Sequence, residues 1–161
     1  IYIERDGRGE TLYQARGGEA LPDFQITSAL HASAPGKVIM AHLSKARINR
    51  IVERHGQPQF TENTLTQRDV LETELTRIRD RDIAFDREEQ QVGVRGIGVP
   101  LELSAQEGVG SIYVYAPADR LTGKIFEERL PGLLLKSRNS IKNSFGSFDL
   151  GALSNDLNDD R

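Results

Sequence analysis

Ile83-Ala84-Phe85-Asp86-Arg87-Glu88-Glu89-Gln90-Gln91-Val92-Gly93-Val94-Arg95-Gly96-Ile97 holds two β-type runs on either side of a polar centre. Ile83 to Phe85 reads as a short strand, and Val92 to Leu101 as a longer one with glycines at Gly93, Gly96 and Gly98. Val109 to Tyr115 is a further strand, reached through a turn that uses Glu107-Gly108 or Gly110. Three runs joined by short links predict an antiparallel sheet.

The segments before the sheet are helical. Thr66 with Asp69 three residues later has the form of a capping box, and Leu71, Leu75 and Ile78 then make one apolar stripe while Glu72, Glu74, Arg77, Arg79 and Arg81 face outwards. Ser44 reads as an N-cap for a helix carrying Ile48, Ile51 and Val52, stopped at Gly56-Gln57-Pro58. Proline tolerates the first helical position because its missing N–H would be unpaired there, so another helix starts at Pro35 and runs through Val38, Ile39, Met40 and Leu43. Phe24 to Leu30 alternates loosely after Gly17-Gly18 and Pro22. The chain opens on a hairpin: Ile1 to Glu4, a turn at Asp6-Gly7-Arg8-Gly9, and Thr11 to Ala15. After the sheet, Leu121, Ile125, Leu133, Leu134, Ile141 and Phe145 give one long helix from Asp119, which Pro131-Gly132 should kink or split. The tail after Gly146 should fray. The order of elements, strands, helices, strands, helix, predicts an α+β domain with helices covering an antiparallel sheet.

With 161 residues and 37% hydrophobic content, the chain suffices for one domain with one core. Its longest apolar runs, around Val38 to Leu43 and Leu133 to Leu135, fall far short of the roughly 20 residues a membrane helix needs. No signal-peptide pattern opens the sequence, and the lack of an initiator Met predicts a natural segment ahead of Ile1. There is no cysteine, which removes disulfides and thiolate chemistry and fits a cytoplasmic location. The net charge of −3 is carried by the tail, where Asp149, Asp156, Asp159 and Asp160 stand against Arg161, so residues 1–148 are neutral on balance. A neutral body lacks the positive field of a DNA binder, so any contact with DNA must come from another module.

Catalytic patterns are missing. Gly36-Lys37 has His31 where a phosphate-binding loop needs glycine, and Val38 where it needs Ser or Thr. His31, His42 and His55 lie in separate segments, so no metal centre is expected, and His42 and His55 read as surface or satisfied groups. Ser33 and Lys37 are one residue too far apart for a Ser-x-x-Lys hydrolase. Asp86, Glu88 and Glu89 could hold a cation, but adjacent strand residues point to opposite faces, so they read as a solvated turn. No enzymatic activity and no cofactor are expected.

Leu30-His31-Ala32-Ser33-Ala34-Pro35-Gly36-Lys37, the block from Ile83 to Ile97, and Tyr113-Val114-Tyr115-Ala116-Pro117-Ala118-Asp119-Arg120-Leu121 together resemble the effector-binding domain of IclR-type transcriptional regulators across roughly residues 1–146. The middle block, with Asp-x-Glu-Glu and Gly-Val-Arg, is the most specific. The resemblance implies a GAF-like antiparallel sheet flanked by helices and ending in a long helix, with 147–161 as an acidic tail. It also implies a winged helix-turn-helix ahead of this chain that makes any DNA contact, assembly as a homodimer or homotetramer, and a small-molecule effector that alters operator binding.

By position, the family's pocket-lining residues fall on Ala34, Pro35, Gly36, Asp86, Val94, Gly96, Tyr113 and Tyr115. The helix start around Ala34-Pro35-Gly36 would offer amides to an anion or be a plain helix start. Asp86 would accept from a ligand hydroxyl or a loop N–H, with Val94 and Gly96 as the floor on one strand face. Two departures stand out: Pro35 removes an anion donor, and Tyr113 and Tyr115 replace the small hydroxyl residues often found there. The tyrosines either fill the pocket or turn it from small organic acids towards an aromatic or sugar-derived ligand. The alternative to a sensor is therefore a ligand-independent association domain whose pocket is closed by its own side chains.

Overall fold

The computed structural model describes residues 1–17, 24–103 and 108–145, with side chains through 143. Among the described residues five strands form one sheet: β1 (Tyr2–Arg5), β2 (Arg8–Thr11), β3 (Ala84–Arg87), β4 (Val94–Glu102) and β5 (Val109–Pro117). Their order is β2-β1-β5-β4-β3, with every pairing antiparallel.

The opening hairpin is tighter than expected. Asp6 (φ 53°) and Gly7 (φ 83°) alone make the turn, both in the left-handed region that a two-residue connection demands, so Arg8 and Gly9 join the ladder opposite Arg5 and Glu4 and pairing ends at Thr11, well short of Ala15. Phe24 to Ala29 forms no strand and leads into a 3-10 turn at Leu30–Ala32. The link between β3 and β4 also reaches further than the sequence suggests. Glu88 (φ 64°) and Gly93 (φ 80°) reverse the chain, leaving Val92 in the turn and 73% exposed rather than in the strand.

Helix α1 (Ala34–His42) lies buried against one face of the sheet, and α2 (Lys45–His55) and α3 (Arg68–Arg81) pack outside it. Ser33 is the N-cap of α1, its hydroxyl accepting from the Gly36 amide at 3.2 Å, so the helix starts one residue before Pro35. Ser44 caps α2 through the Arg47 amide, as expected. The capping box at Thr66 and Asp69 does not form: Gln67 holds the cap position, without a side-chain bond, which puts both residues out of box register.

The opposite face carries α4 (Leu130–Phe145), whose Leu134 packs with Ile97, Val99, Leu121 and Phe126. Pro131-Gly132 does not split this helix. The chain is already helical from Gly123, and the turn immediately before Pro131, Ile125–Arg129, widens to π geometry, which takes the preceding carbonyls out of the α-helical register that the proline ring would clash with. The acidic tail from residue 147 lies outside the described residues. Among those described, no helix is long and apolar enough to cross a membrane.

Burial ranks the apolar residues by consequence. Leu71→Ala, at a side chain with 0% exposure between α3 and α1, should lower stability by about 2–5 kcal/mol, whereas Val92→Ala should leave it within about 0.5 kcal/mol. Urea unfolding midpoints check both, and equal losses would contradict this assignment of core and turn.

Candidate functional site

Strand register places Asp86 (β3) opposite Gly96 (β4), and Gly96 opposite Tyr115 (β5). The three residues form a row across the sheet on the face that α1 covers. Neighbouring strands lie about 4.8 Å apart, so Asp86 and Tyr115 are separated by about 10 Å at the backbone. The Tyr115 ring bridges that gap by lying over Gly96, where an added Cβ would come within 2.3 Å of the ring. Only glycine leaves this space. Gly98, next along the same face, lets the first turn of α1 approach: a Cβ there would meet the Ala34 and Pro35 backbone at 3.1 Å.

The Tyr115 hydroxyl thus reaches two groups at once. It accepts from the Ala34 amide at 2.9 Å and donates to Asp86 Oδ2 at 2.9 Å, while Asp86 Oδ1 accepts from the Glu89 amide at 2.7 Å. Burial first, and the Glu89 carboxylate second, push the Asp86 pKa up from 3.8 to about 6, against Lys37 and the two hydrogen bonds. Burial and the Asp86 charge likewise drive the Tyr115 pKa well above 10.

The α1 amides are occupied. Ala34 N–H serves Tyr115, Gly36 N–H serves Ser33, and Pro35 has none. Gly36 itself is pressed against the 3-10 turn, where a Cβ would lie 2.3 Å from the Leu30 carbonyl. Val94 is 5% exposed on the same strand face as Gly96. The Tyr113 ring stands 6.1 Å from that of Tyr115 and 6.2 Å from Tyr2. Its buried hydroxyl finds no hydrogen-bond partner among the described residues. Burial raises its pKa, opposed by the neighbouring Thr11 side chain.

Three neighbours were not among the expected site residues. Lys37 is fully buried, and its ammonium donates to the Phe85 carbonyl at 2.7 Å and to both Glu89 oxygens at 2.5 and 2.6 Å. The signal for it was a lysine inside an apolar helical run, since a buried ammonium needs a partner. Asp86 (1% exposed) and Glu89 (5%) are accordingly not a solvated turn. Asp86 faces inwards by ordinary alternation with Ala84 in β3, the reversal at Glu88 brings the Glu89 carboxylate to the same side, and the cation that Glu89 holds is Lys37. Glu88 instead pairs with Arg95 nearer the surface. Phe24, the third neighbour, stacks on Tyr115 at 4.9 Å. Its segment is tied to the β3–β4 turn by Gln90, which accepts from the Thr27 amide and donates to the Gln25 carbonyl; nothing in the local sequence announces that contact.

Of the histidines, His31 is buried against the Pro58 carbonyl, His42 meets the Val38 carbonyl and His55 the Asp6 carbonyl. Three clefts lined by described residues, of about 640, 180 and 680 Å³, avoid Tyr113 and Tyr115 altogether.

A single layer of antiparallel sheet between the buried helix α1 and helix α4, with this row at its centre, defines an α+β domain. Residues 26–143 match the family described as bacterial transcriptional regulator IclR, C-terminal, and the chain belongs to it. It is 29% identical over 148 residues to the probable HTH-type transcriptional regulator ArcR of Halobacterium salinarum, covering 88% of this chain and 56% of that protein. It is 37% identical over 118 residues to the HTH-type transcriptional regulator Rv1719 of Mycobacterium tuberculosis, covering 73% of this chain and 41% of that protein. The chain therefore spans about half the length of the curated relatives it matches. The crystal structure of transcriptional regulator YaiJ aligns with a TM-score of 0.76 at 26% identity, over 90% of this chain and 83% of that one. These relatives are regulators, and the family is not enzymatic.

Two outcomes follow from the row. Because the folded-state pKa of Asp86 is raised, the native protein holds the proton more tightly than the unfolded chain, so this residue's contribution should weaken as pH climbs from about 4 to about 6, by about 2–3 kcal/mol. Urea unfolding of the native sequence and of Asp86→Asn at both pH values isolates it, and parallel pH dependence in the two proteins contradicts it. Gly96→Ala should cost about 1–3 kcal/mol by driving a methyl into the Tyr115 ring, with part recovered when Tyr115→Ser is added. Additive losses in the double variant would show that the ring is not the obstacle.

Proposed function

We propose that this chain is the effector-sensing and self-association part of an IclR-type regulator, acting in the cytoplasm and coupled to a winged helix-turn-helix elsewhere in the protein that touches DNA. One observation carries the reading: of the residues that resemblance to the family marks as pocket-lining, Ala34 and Asp86 are joined by the Tyr115 hydroxyl, whose ring lies over Gly96. A ligand there would compete with Tyr115 for the Ala34 amide and Asp86. Displacing the ring also disturbs Phe24, and through Gln90 the β3–β4 turn, so occupancy would be felt beyond the site. A ligand shifts a regulator only as far as it prefers one arrangement over another.

The alternative, a domain that only associates, has its own support. Tyr115 satisfies the amide and carboxylate that a ligand would use, and its ring fills the space above Gly96. Thermal melts with a panel of organic acids, phenols and sugars separate the two. A compound near a hundred times its dissociation constant should raise the melting temperature by about 5–10 °C in the native sequence and much less in Asp86→Ala. If no compound shifts the native melt, the association reading stands alone. Light scattering on the same samples should report a dimer or tetramer, and a monomer at micromolar concentration would remove self-association.

A further inference from the structure

If the site senses a ligand as proposed above, its present occupant indicates what kind. The Tyr115 hydroxyl sits between one donor, the Ala34 amide, and one acceptor, Asp86 Oδ2, each at 2.9 Å. Only a group that accepts and donates at once suits that position, and an uncharged hydroxyl does both. A carboxylate does not. It has no proton to give Asp86, and the Ala34 amide would be its single available backbone donor, because Pro35 has no N–H and the Gly36 amide is held by Ser33. Nor is Lys37 free to answer its charge. Every N–H of the Lys37 ammonium is spent on Glu89 and the Phe85 carbonyl. Asp86 and Glu89 already place two carboxylates against that one ammonium, so a third would add unpaired charge to a buried region. The surrounding shape is also selective: the space above Gly96 accommodates a ring lying flat, and Phe24 offers a second ring face 4.9 Å from it. Beside it, the buried Tyr113 hydroxyl has no hydrogen-bond partner among the described residues and could serve a further ligand oxygen.

We infer that the effector of this chain seats an uncharged hydroxyl borne on a flat ring between Ala34 and Asp86, in the volume that the Tyr115 phenol now fills, and not a carboxylate.

The test uses p-cresol, which is the tyrosine side chain as a free molecule, with toluene and benzoate as comparisons, on the native sequence and on Tyr115→Ala. Calorimetry on Tyr115→Ala at pH 7.5 should show p-cresol binding at least about tenfold more tightly than toluene or benzoate, since a site built around a hydroxyl leaves its polar groups unpaired otherwise. Adding Asp86→Asn should narrow the gap to benzoate by removing the repelling charge. If Tyr115→Ala is unfolded when empty, the same ranking is read as recovery of its thermal transition. Benzoate binding as tightly as p-cresol, or no probe binding or rescuing the variant, overturns the inference. Rescue of the variant by p-cresol, with no compound of the wider panel shifting the native sequence, instead removes the sensing reading and leaves the chemistry of the slot intact.

Discussion

The Tyr115 hydroxyl joins the start of α1 to the far side of β4, and the centre of the domain is arranged around that contact. Its two hydrogen bonds, to the Ala34 amide and to Asp86, cross from helix to sheet and from β5 to β3. They form only because Gly96 leaves the intervening strand bare. A phenol is long enough to span two strands and carries one donor and one acceptor function at its tip, so it satisfies both ends without bringing a charge. The cost is a carboxylate kept where water cannot reach it, visible in the raised Asp86 pKa.

A second polar link sets the position of the β3–β4 turn. The ion pair between Lys37 and Glu89 is almost wholly buried, and such pairs add little net stability because desolvation opposes their attraction. Breaking one side is a different matter, since it strands the other charge. The pair therefore acts as a constraint on where Glu89 can sit. Thr61 and Thr64 reinforce it by donating to the Glu88 and Glu89 carbonyls, and Asp86 closes the ring through the Glu89 amide. Helix, turn and sheet are thus connected through one continuous set of buried polar groups, with the Phe24 segment laid over it.

Much of the framework was legible along the chain. Strands β1, β3, β4 and β5, the Ser44 cap, the Leu71, Leu75 and Ile78 stripe and the helical run through Val38 to Met40 follow from local periodicity and capping chemistry, which act between residues close in sequence, whereas β2 was expected at Thr11 to Ala15 and lies at Arg8–Thr11. The misreadings share a cause as well. Val92 looks like a strand residue and Thr66 with Asp69 like a capping box, but in each case a neighbouring conformation, the positive φ at Glu88 and Gly93 or the start of α3 at Gln67, shifts the register by one or two residues. Glu89 was taken for solvated because alternation was carried across a turn that abolishes it. Lys37 and Phe24 had partners 52 and 91 residues away, beyond the reach of any local pattern.

By itself the sequence determined an α+β domain, the succession of its elements and the family to which its motifs point. Those features depend on side-chain type and spacing, which are written in order along the chain. Only the tertiary structure decided how these residues meet: that Asp86, Gly96 and Tyr115 share one row, that the α1 amides are already taken, and that a lysine and a glutamate are buried together beneath them. Strand register sets all of this. It is fixed by packing over the whole sheet, and a shift of a single residue would turn the Tyr115 ring to the other face.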